Sequence, residues 1–479
     1  MKVCLVNPPW EENGRWGIRA GCRFPNMMPK KHNSYVPFPF LLAYTASYLK
    51  SNGIDVLTID GVAERCTQES FLERIKAYSP DILIAETATT SFDYDLTLLS
   101  SLVQVLPGLK ITIYGSHVSI LPDEALRSNV IHSVIIGEPE QTSLSLIKAL
   151  SNGSDLTAVD GLVFKDSNGS VITNRRRKLI DDLDLLPYPE RHSLPLKSYH
   201  VPGFPEPVVF IYGSRGCPFG CNFCLWPQTI YEKGSYRTRS GESIAQEMEW
   251  VLKNFPETRS FFFDDDTFSI GMKRMNDFAD ALEKRQISIP WGCNARADHW
   301  DQATLMRLKK NGLFTLRIGI ESGDQSILNI VGKSLDLAEA KEMLASAHKL
   351  GIQIHISFVV GLQGESKESL DNTLKFIQSV PVDSVQFSIA IPFPGTVYYK
   401  YVEENDFFVT HEWKKFNGFD HVVMRTEYLS ADELMKGVNS LRRRVYFSPH
   451  FVTQRLRYVR NFRDMGALSR KVIRLVFNS

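Results

Sequence analysis

Gly213-Ser214-Arg215-Gly216-Cys217-Pro218-Phe219-Gly220-Cys221-Asn222-Phe223-Cys224 follows directly on a strand-like run at Val208–Tyr212. Three thiols crowded this closely suit metal ligation in a reducing compartment better than a disulfide framework. Three thiolates are one short of the four that fill a cubane iron–sulfur cluster. Cys217, Cys221 and Cys224 would therefore leave one iron open to substrate, much as a catalytic zinc keeps an unfilled position. A closed structural zinc is the alternative, but it wants a fourth Cys or His at short range, and none follows before Cys293.

Outward from this loop, strand and helix patterns alternate. Downstream of Val208–Tyr212, strands are predicted at Ser260–Phe263, Ile289–Asn294, Thr315–Ile320, Gln353–Val360 and Ser384–Ile391. Helical spacing fills most of the gaps, at Ser243–Lys253, Met275–Lys284, Asp301–Asn311, Asp324–Val331 and Leu337–Leu350. Residues 206–400 thus read as an α/β domain of partial-barrel type, with catalytic groups at the carboxyl ends of its strands.

Upstream, residues 1–154 read as a doubly wound α/β domain. Lys2–Val6, Val56–Ile59, Ile82–Ala85, Ile111–Tyr114 and Val134–Ile136 are apolar enough to be buried parallel strands. Helical patterns at Phe38–Ser51, Gln68–Tyr78, Tyr94–Val105 and Thr142–Ser151 separate them. A ligand of such a sheet lies at its carboxyl edge, here the loops Asn7–Trp10, Glu86–Thr90, Gly115–His117 and Gly137–Glu140. Residues 155–205 read as a connector, with a hairpin turning at Asp166–Gly169 and Pro-punctuated sequence at Leu186–Pro189. Residues 401–479 read as a helical extension with a basic end: Arg442, Arg443, Arg444, Arg455, Arg457, Arg460, Arg463, Arg470, Lys471 and Arg474 face only Asp464. That end is either a solvated outer face or a contact with an anionic substrate or an acidic membrane surface.

Bulk composition narrows the function. Lys and Arg number 55 against 54 Asp and Glu, so no global field recruits nucleic acid. The start, MKVCLVNPPW, lacks a long apolar signal region, which predicts a cytoplasmic protein. No stretch approaches the roughly 18 apolar residues of a membrane span. Of the seven cysteines, Cys4, Cys22, Cys66 and Cys293 are scattered and read as core or incidental thiols.

The CxxxCxxC pattern, with an aromatic residue before its last Cys, resembles the radical S-adenosylmethionine (SAM) superfamily. Four further segments match in order: Phe263–Phe268, Gly319-Ile320-Glu321-Ser322-Gly323, Gly361-Leu362-Gln363-Gly364-Glu365 and Pro392-Phe393-Pro394-Gly395-Thr396. Gln363 stands where the family usually has Pro. The resemblance implies a 4Fe–4S cluster on Cys217, Cys221 and Cys224 and a SAM site involving Phe223, Asp264, Asp266, Gly319, Glu321, Ser322 and Gly361. The carboxylates at 264–266 read alternatively as a helix cap or a metal site. Arg296 would clamp a carboxylate or phosphate, or make a structural ion pair.

With a doubly wound domain ahead of such a barrel, the chain resembles the B12-binding subfamily. The resemblance places cobalamin near Asn7, Pro8, Thr87, Gly115, Ser116, His117, Gly137 and Glu138. The DxHxxG element that supplies an axial histidine in other cobalamin proteins is missing, so no His ligand to cobalt is expected. The implied reaction is methylation of an unactivated carbon: one SAM methylates the corrinoid and a second yields a 5′-deoxyadenosyl radical. The rivals are oxidative cyclisation without methyl transfer, and a sensor in which the cluster is structural. Expected partners are a small-molecule or lipid-like substrate and an external electron donor such as a flavodoxin or ferredoxin, with peripheral membrane contact through the basic C-terminus as a further possibility.

Overall fold

The computed structural model describes residues 1–19, 25–29, 35–449 and 451. Its first strand is β1 (Val3–Asn7), followed by β2 (Glu11–Glu12), β3 (Arg15–Ile18) and β4 (Asn26–Pro29), a small antiparallel meander of their own. Then come β5 (Val56–Asp60), β6 (Ile82–Glu86), β7 (Lys110–Tyr114), β8 (Ile131–Ile135), β9 (Leu162–Lys165) and β10 (Val171–Thr173). These join β1 in a seven-stranded sheet of order β10-β9-β8-β7-β6-β1-β5. β5, β1, β6, β7 and β8 are mutually parallel.

The helices of this half are α1 (Phe40–Ser51), α2 (Gln68–Tyr78), α3 (Phe92–Val105), α4 (Pro122–Leu126) and α5 (Pro139–Asn152). Leu42 and Leu49 of α1 and Leu146 and Ile147 of α5 share one core with Val3 and Leu5. Phe71, Ile75, Leu98, Leu99 and Leu126 of α2, α3 and α4 share another with Cys4 and Val6. Helices on both faces explain strands that are apolar throughout.

The hairpin expected within residues 155–205 belongs to this sheet. β9 pairs antiparallel with β8, and β10 with β9. It covers a parallel edge strand that would otherwise expose unpaired backbone groups.

The second half begins with β11 (Val208–Ile211) and β12 (Ser214–Gly216), then α6 (Trp226–Thr229), β13 (Tyr236–Thr238) and α7 (Gly241–Asn254). It continues through β14 (Ser260–Phe263), α8 (Met272–Lys284), β15 (Trp291–Ala295), α9 (Gln302–Lys310), β16 (Leu313–Glu321), α10 (Gln325–Ile330) and α11 (Leu337–Lys349). The last elements are β17 (Gln353–Val360), α12 (Lys367–Ser379), β18 (Ser384–Ile389), α13 (Val397–Glu404) and α14 (Ala431–Tyr446). Six parallel strands, in the order β11-β14-β15-β16-β17-β18, form an open barrel. Side-chain caps set where its helices start: Ser240 for α7, Asp301 for α9, Asp336 for α11, Ser366 for α12 and Ser430 for α14.

Strand alternation gives the barrel two faces. Phe263 meets Phe278 of α8 and Phe358 meets Phe376 of α12, so these point outward to the helices. Phe210 and Phe262 point inward, where Phe204 from the connector packs against Phe262.

The two halves share one continuous core through α1 and α5. Residues near 413–416 lie back on the first half: Trp413 Nε1 donates to Glu124 at 2.9 Å, and Thr90 donates to the Phe416 carbonyl at 2.9 Å. Of the basic end, Arg442, Arg443 and Arg444 lie on α14, whereas Arg455 through Arg474 fall outside the described residues. Among the described residues no helix is long and apolar enough to cross a membrane.

Candidate active site

The cysteine loop leaves β12 through Gly216, whose φ of +83° suits glycine and where a Cβ would lie 2.4 Å from the Ser235 carbonyl. Nearly every strand end of the barrel then holds the loop at one point. After β14, Asp265 accepts from the Gly213 amide at 3.1 Å and from the Ser214 hydroxyl, and Asp266 accepts from the Gly216 amide at 3.2 Å. After β15, the Arg296 guanidinium lies 3.7 Å from the centre of the Phe219 ring. After α10, the Val331 carbonyl accepts from the Asn222 amide at 2.9 Å. After β17, Gln363 Oε1 accepts from Asn222 Nδ2 at 3.1 Å, which gives the departure from the family's Pro a structural role. After β18, the Tyr398 amide donates to the Asn222 carbonyl at 3.0 Å. From inside the loop's return, Gln228 Nε2 donates to the carbonyls of Cys221, Asn222 and Cys224.

Cys217, Cys221 and Cys224 are half-buried and not disulfide-bonded. Burial pushes the Cys217 thiol up to about 11, and pushes Cys221 up against the opposing charge of Lys333. Thiols held protonated in this way release protons on binding metal. Among the described residues no three His, Cys, Asp or Glu side chains are gathered as ligands of one ion. A cubane, by contrast, takes each thiolate on its own iron, and three soft donors on one loop fit that arrangement.

Around the same rim lie the residues expected on the SAM side. Asp264 is buried, accepting from Asn294 Nδ2 at 2.8 Å and from the Tyr35 hydroxyl of the first half. Asp266 is only partly buried. Glu321 ends β16 at a bulge with φ of +73°, a strained conformation for a non-glycine residue. Its carboxylate pairs with Lys333 Nζ at 3.0 Å. Gly319 makes room for this: a Cβ there would lie 2.2 Å from Glu321 Oε1. Ser322 is buried behind the rim, accepting from the Asp324 amide at 3.2 Å. Gly361, with φ of +93°, accepts from the Tyr398 hydroxyl, and Phe223 packs half-buried on the core. Arg296 takes the ion-pair alternative: it grips Asp298 through two bonds of 2.9 and 2.6 Å and donates to the Lys333 and Ser334 carbonyls.

The first half turns its carboxyl edge toward this loop. A cleft is lined by Glu86, Thr87, Ala88, Gly115 and Ser116 on one side and by Trp226 and Ile230 on the other, with Arg19, Pro25 and Leu41 completing it. A second cleft lies along the same edge, past Gly137 and Glu138 to Arg176–Ile180. The two are separated where Gly137 approaches the Ile230 carbonyl, which a Cβ would meet at 3.1 Å. Small neutral side chains at two adjacent strand ends, facing a tryptophan, lie at the carboxyl edge where a ligand of such a sheet is held.

The other residues expected on the cobalamin side are engaged within the protein. Asn7 is buried between Arg19 and Asp60, at 2.9 and 2.7 Å, and the Pro8 carbonyl accepts from Arg19. His117 packs between Phe92 and Trp413, with Nε2 3.4 Å from Glu124. Glu138 bridges the halves, bound by Arg215 at 2.8 Å and Arg237 at 2.9 Å. Lys333, Trp226, Gln228 and Arg19 escape a reading of the sequence. Only Trp226, just past the last cysteine, carries a positional hint.

Comparison with known proteins agrees with this division. The chain matches the Radical SAM superfamily over residues 211–377 and the B12 binding domain over residues 34–147. It is 31% identical over 450 residues to an uncharacterized methyltransferase of Pyrococcus horikoshii, covering 94% of this chain and 92% of the other. It is 26% identical over 425 residues to the anaerobic magnesium-protoporphyrin IX monomethyl ester cyclase of Rubrivivax gelatinosus, covering 86% and 74%. In fold it is similar to the cobalamin-dependent S-adenosylmethionine radical enzyme OxsB, with a TM-score of 0.73 at 17% identity over 98% of this chain and 70% of that one. With both domains present in this order and a relative matched along nearly its whole length, the chain belongs to the B12-binding radical SAM enzymes, whose cofactors are a 4Fe–4S cluster, S-adenosylmethionine and cobalamin.

Proposed function

We propose that the protein methylates an unactivated carbon of its substrate. The observation that carries this reading is the placement of the cleft: strand ends of the B12-binding domain face Trp226, two residues past Cys224, so a ligand there adjoins the cysteine loop. When bound, the cluster and SAM supply a 5′-deoxyadenosyl radical and cobalamin supplies the methyl group.

The chain's own residues position these groups. Cys217, Cys221 and Cys224 take three irons, while the holds from Asp265, Asp266, Gln228 and Gln363 fix the loop carrying them. Glu321, kept in place by Lys333, takes the SAM ribose, since a carboxylate accepts from two hydroxyls. Asp264 would hold the SAM amino group and Phe223 would lie beside the adenine. Thr87, Gly115 and Ser116 line the cobalamin side, where they and Trp226 keep water from the reacting centre.

The test uses anaerobically reconstituted protein loaded with cobalamin, a reductant and SAM labelled in its methyl group, incubated with host metabolites. S-adenosylhomocysteine and 5′-deoxyadenosine form in about equal amounts, and one metabolite gains the label. The cyclase among the relatives supports a second reading, radical chemistry without methyl transfer. 5′-Deoxyadenosine with no S-adenosylhomocysteine and no labelled product would establish it and end the methylase proposal.

A further inference from the structure

β16 reads Leu313-Phe314-Thr315-Leu316-Arg317-Ile318-Gly319-Ile320-Glu321. Leu316, Ile318 and Ile320 are buried toward the helices. The alternate positions Arg317, Gly319 and Glu321 fall on the inner face of the barrel, each partly exposed. The register sets Arg317 between Asn294 on β15 and His355 on β17, with Ser384 of β18 beyond, so a polar row crosses the inner face.

Arg317 differs from the other arginines near the rim. Arg215 is paired with Glu138 and Glu140, Arg239 with Glu247, and Arg296 with Asp298, while Arg274 donates to the Gly213 and Phe268 carbonyls. Among the described residues no carboxylate or carbonyl receives Arg317. Its guanidinium lies over two rings, 5.4 Å from the centre of Tyr35 and 5.6 Å from that of Phe262. The nearby acids are committed elsewhere, Glu321 to Lys333 and Asp264 to Asn294 and Tyr35. Ring faces attract a cation but accept none of its N–H bonds in the guanidinium plane. What remains is a planar fork of donors inside a catalytic barrel, held in orientation by two aromatic rings.

We infer that Arg317 receives an anionic group of the substrate, a carboxylate or a phosphate, in a bidentate pair, and so anchors the substrate on the inner face with its reacting carbon turned to the rim. The fork matches either group, which is the geometry that distinguishes Arg from Lys. Tyr35 contributes twice, since its ring lies by Arg317 while its hydroxyl bonds Asp264 at the rim. A segment of the first half thereby touches both the anion site and the SAM side. This inference rests on the barrel being the catalytic domain.

The test is the ³¹P line width of inorganic phosphate titrated with the reconstituted holoenzyme, repeated with Arg317→Gln and Arg317→Lys and again with saturating SAM. Wild type binds phosphate, Arg317→Gln binds it at least about 10-fold more weakly, and Arg317→Lys about threefold more weakly, because one ammonium cannot replace the fork. Phosphate stays bound when SAM is added. Displacement by SAM would assign Arg317 to the SAM carboxylate and overturn the inference, as would equal binding by wild type and Arg317→Gln, or no binding at all. Should Arg317→Gln lose its cluster, Arg317→Lys decides alone: affinity equal to wild type rejects the bidentate site. The methylase proposal fails on a separate result, the products formed from SAM, which the phosphate titration does not use.

Discussion

Replacing Arg215 by Met should be among the most damaging single changes outside the cofactor ligands. The guanidinium is almost wholly buried between the two halves, 2.8 Å from Glu138 and 2.6 Å from Glu140, with its face 5.0 Å from the Tyr44 ring. Arg237 joins Glu138, so the cluster of two arginines and two glutamates is neutral. Burial pushes Glu138 up, but Arg215 and Arg237 outweigh it and hold that carboxyl below its usual range. Glu140 is different. Burial raises it, Arg215 only partly offsets the rise, and its Oε2 has no hydrogen-bond partner.

Met keeps most of the packing volume but strands one buried negative charge. Removing one partner of such a pair costs about 3–5 kcal/mol. Adding Glu140→Gln restores neutrality, so Arg215→Met/Glu140→Gln should recover about 2–3 kcal/mol of that loss, a strong positive coupling in the double-mutant cycle. The assay is chemical denaturation of metal-free wild type, both single variants and the double variant at pH 8 and pH 5.5. In Arg215→Met the carboxyl of Glu140 binds a proton more tightly folded than unfolded, so the deficit grows as pH rises and shrinks as it falls. A loss under about 1 kcal/mol, additive single variants, or a deficit that grows on acidification would refute this account.

Gly319→Ala places a methyl 2.2 Å from Glu321 Oε1, so Glu321 must leave Lys333; SAM binding to reconstituted protein should weaken about 10-fold with iron content unchanged, and unaltered SAM affinity would remove Glu321 from the SAM site. Burial raises Glu86 in the cleft beside Thr87 from 4.5 to about 7, against a hydrogen bond from the Tyr114 hydroxyl. A raised carboxyl favours the folded state at low pH, so stability falls by about 3 kcal/mol as pH rises from the unfolded value through 7. Glu86→Gln should flatten that slope in thermal melts, leaving the variant more stable than wild type at pH 8.5 but not at pH 5; parallel profiles would place the charge elsewhere.

What could be read from the sequence, and what could not, divides along a physical line. Periodicity is local, so β6, β14, β17 and α2 lie where apolar spacing predicts them, and the loop Cys217–Cys224 is identified by covalent spacing alone. The meander of β2, β3 and β4 has no such signal, because its strands are two to four residues long and interrupted by Gly and Pro. Side-chain roles depend on tertiary placement. Glu138 and Arg215 are 77 residues apart, and nothing in Gly137–Glu140 distinguishes a strut between domains from a cofactor contact. Arg296 and Arg317 make the point within one domain. Both are arginines in barrel strands or just past them, and the sequence singles out Arg296 because it ends a strand. Yet Arg296 is consumed by Asp298 two residues on, while Arg317, in mid-strand among apolar neighbours, looks like part of a buried segment. Only the inner face of an open barrel, with both nearby acids already engaged, shows that Arg317 keeps donors with no acceptor among the described residues.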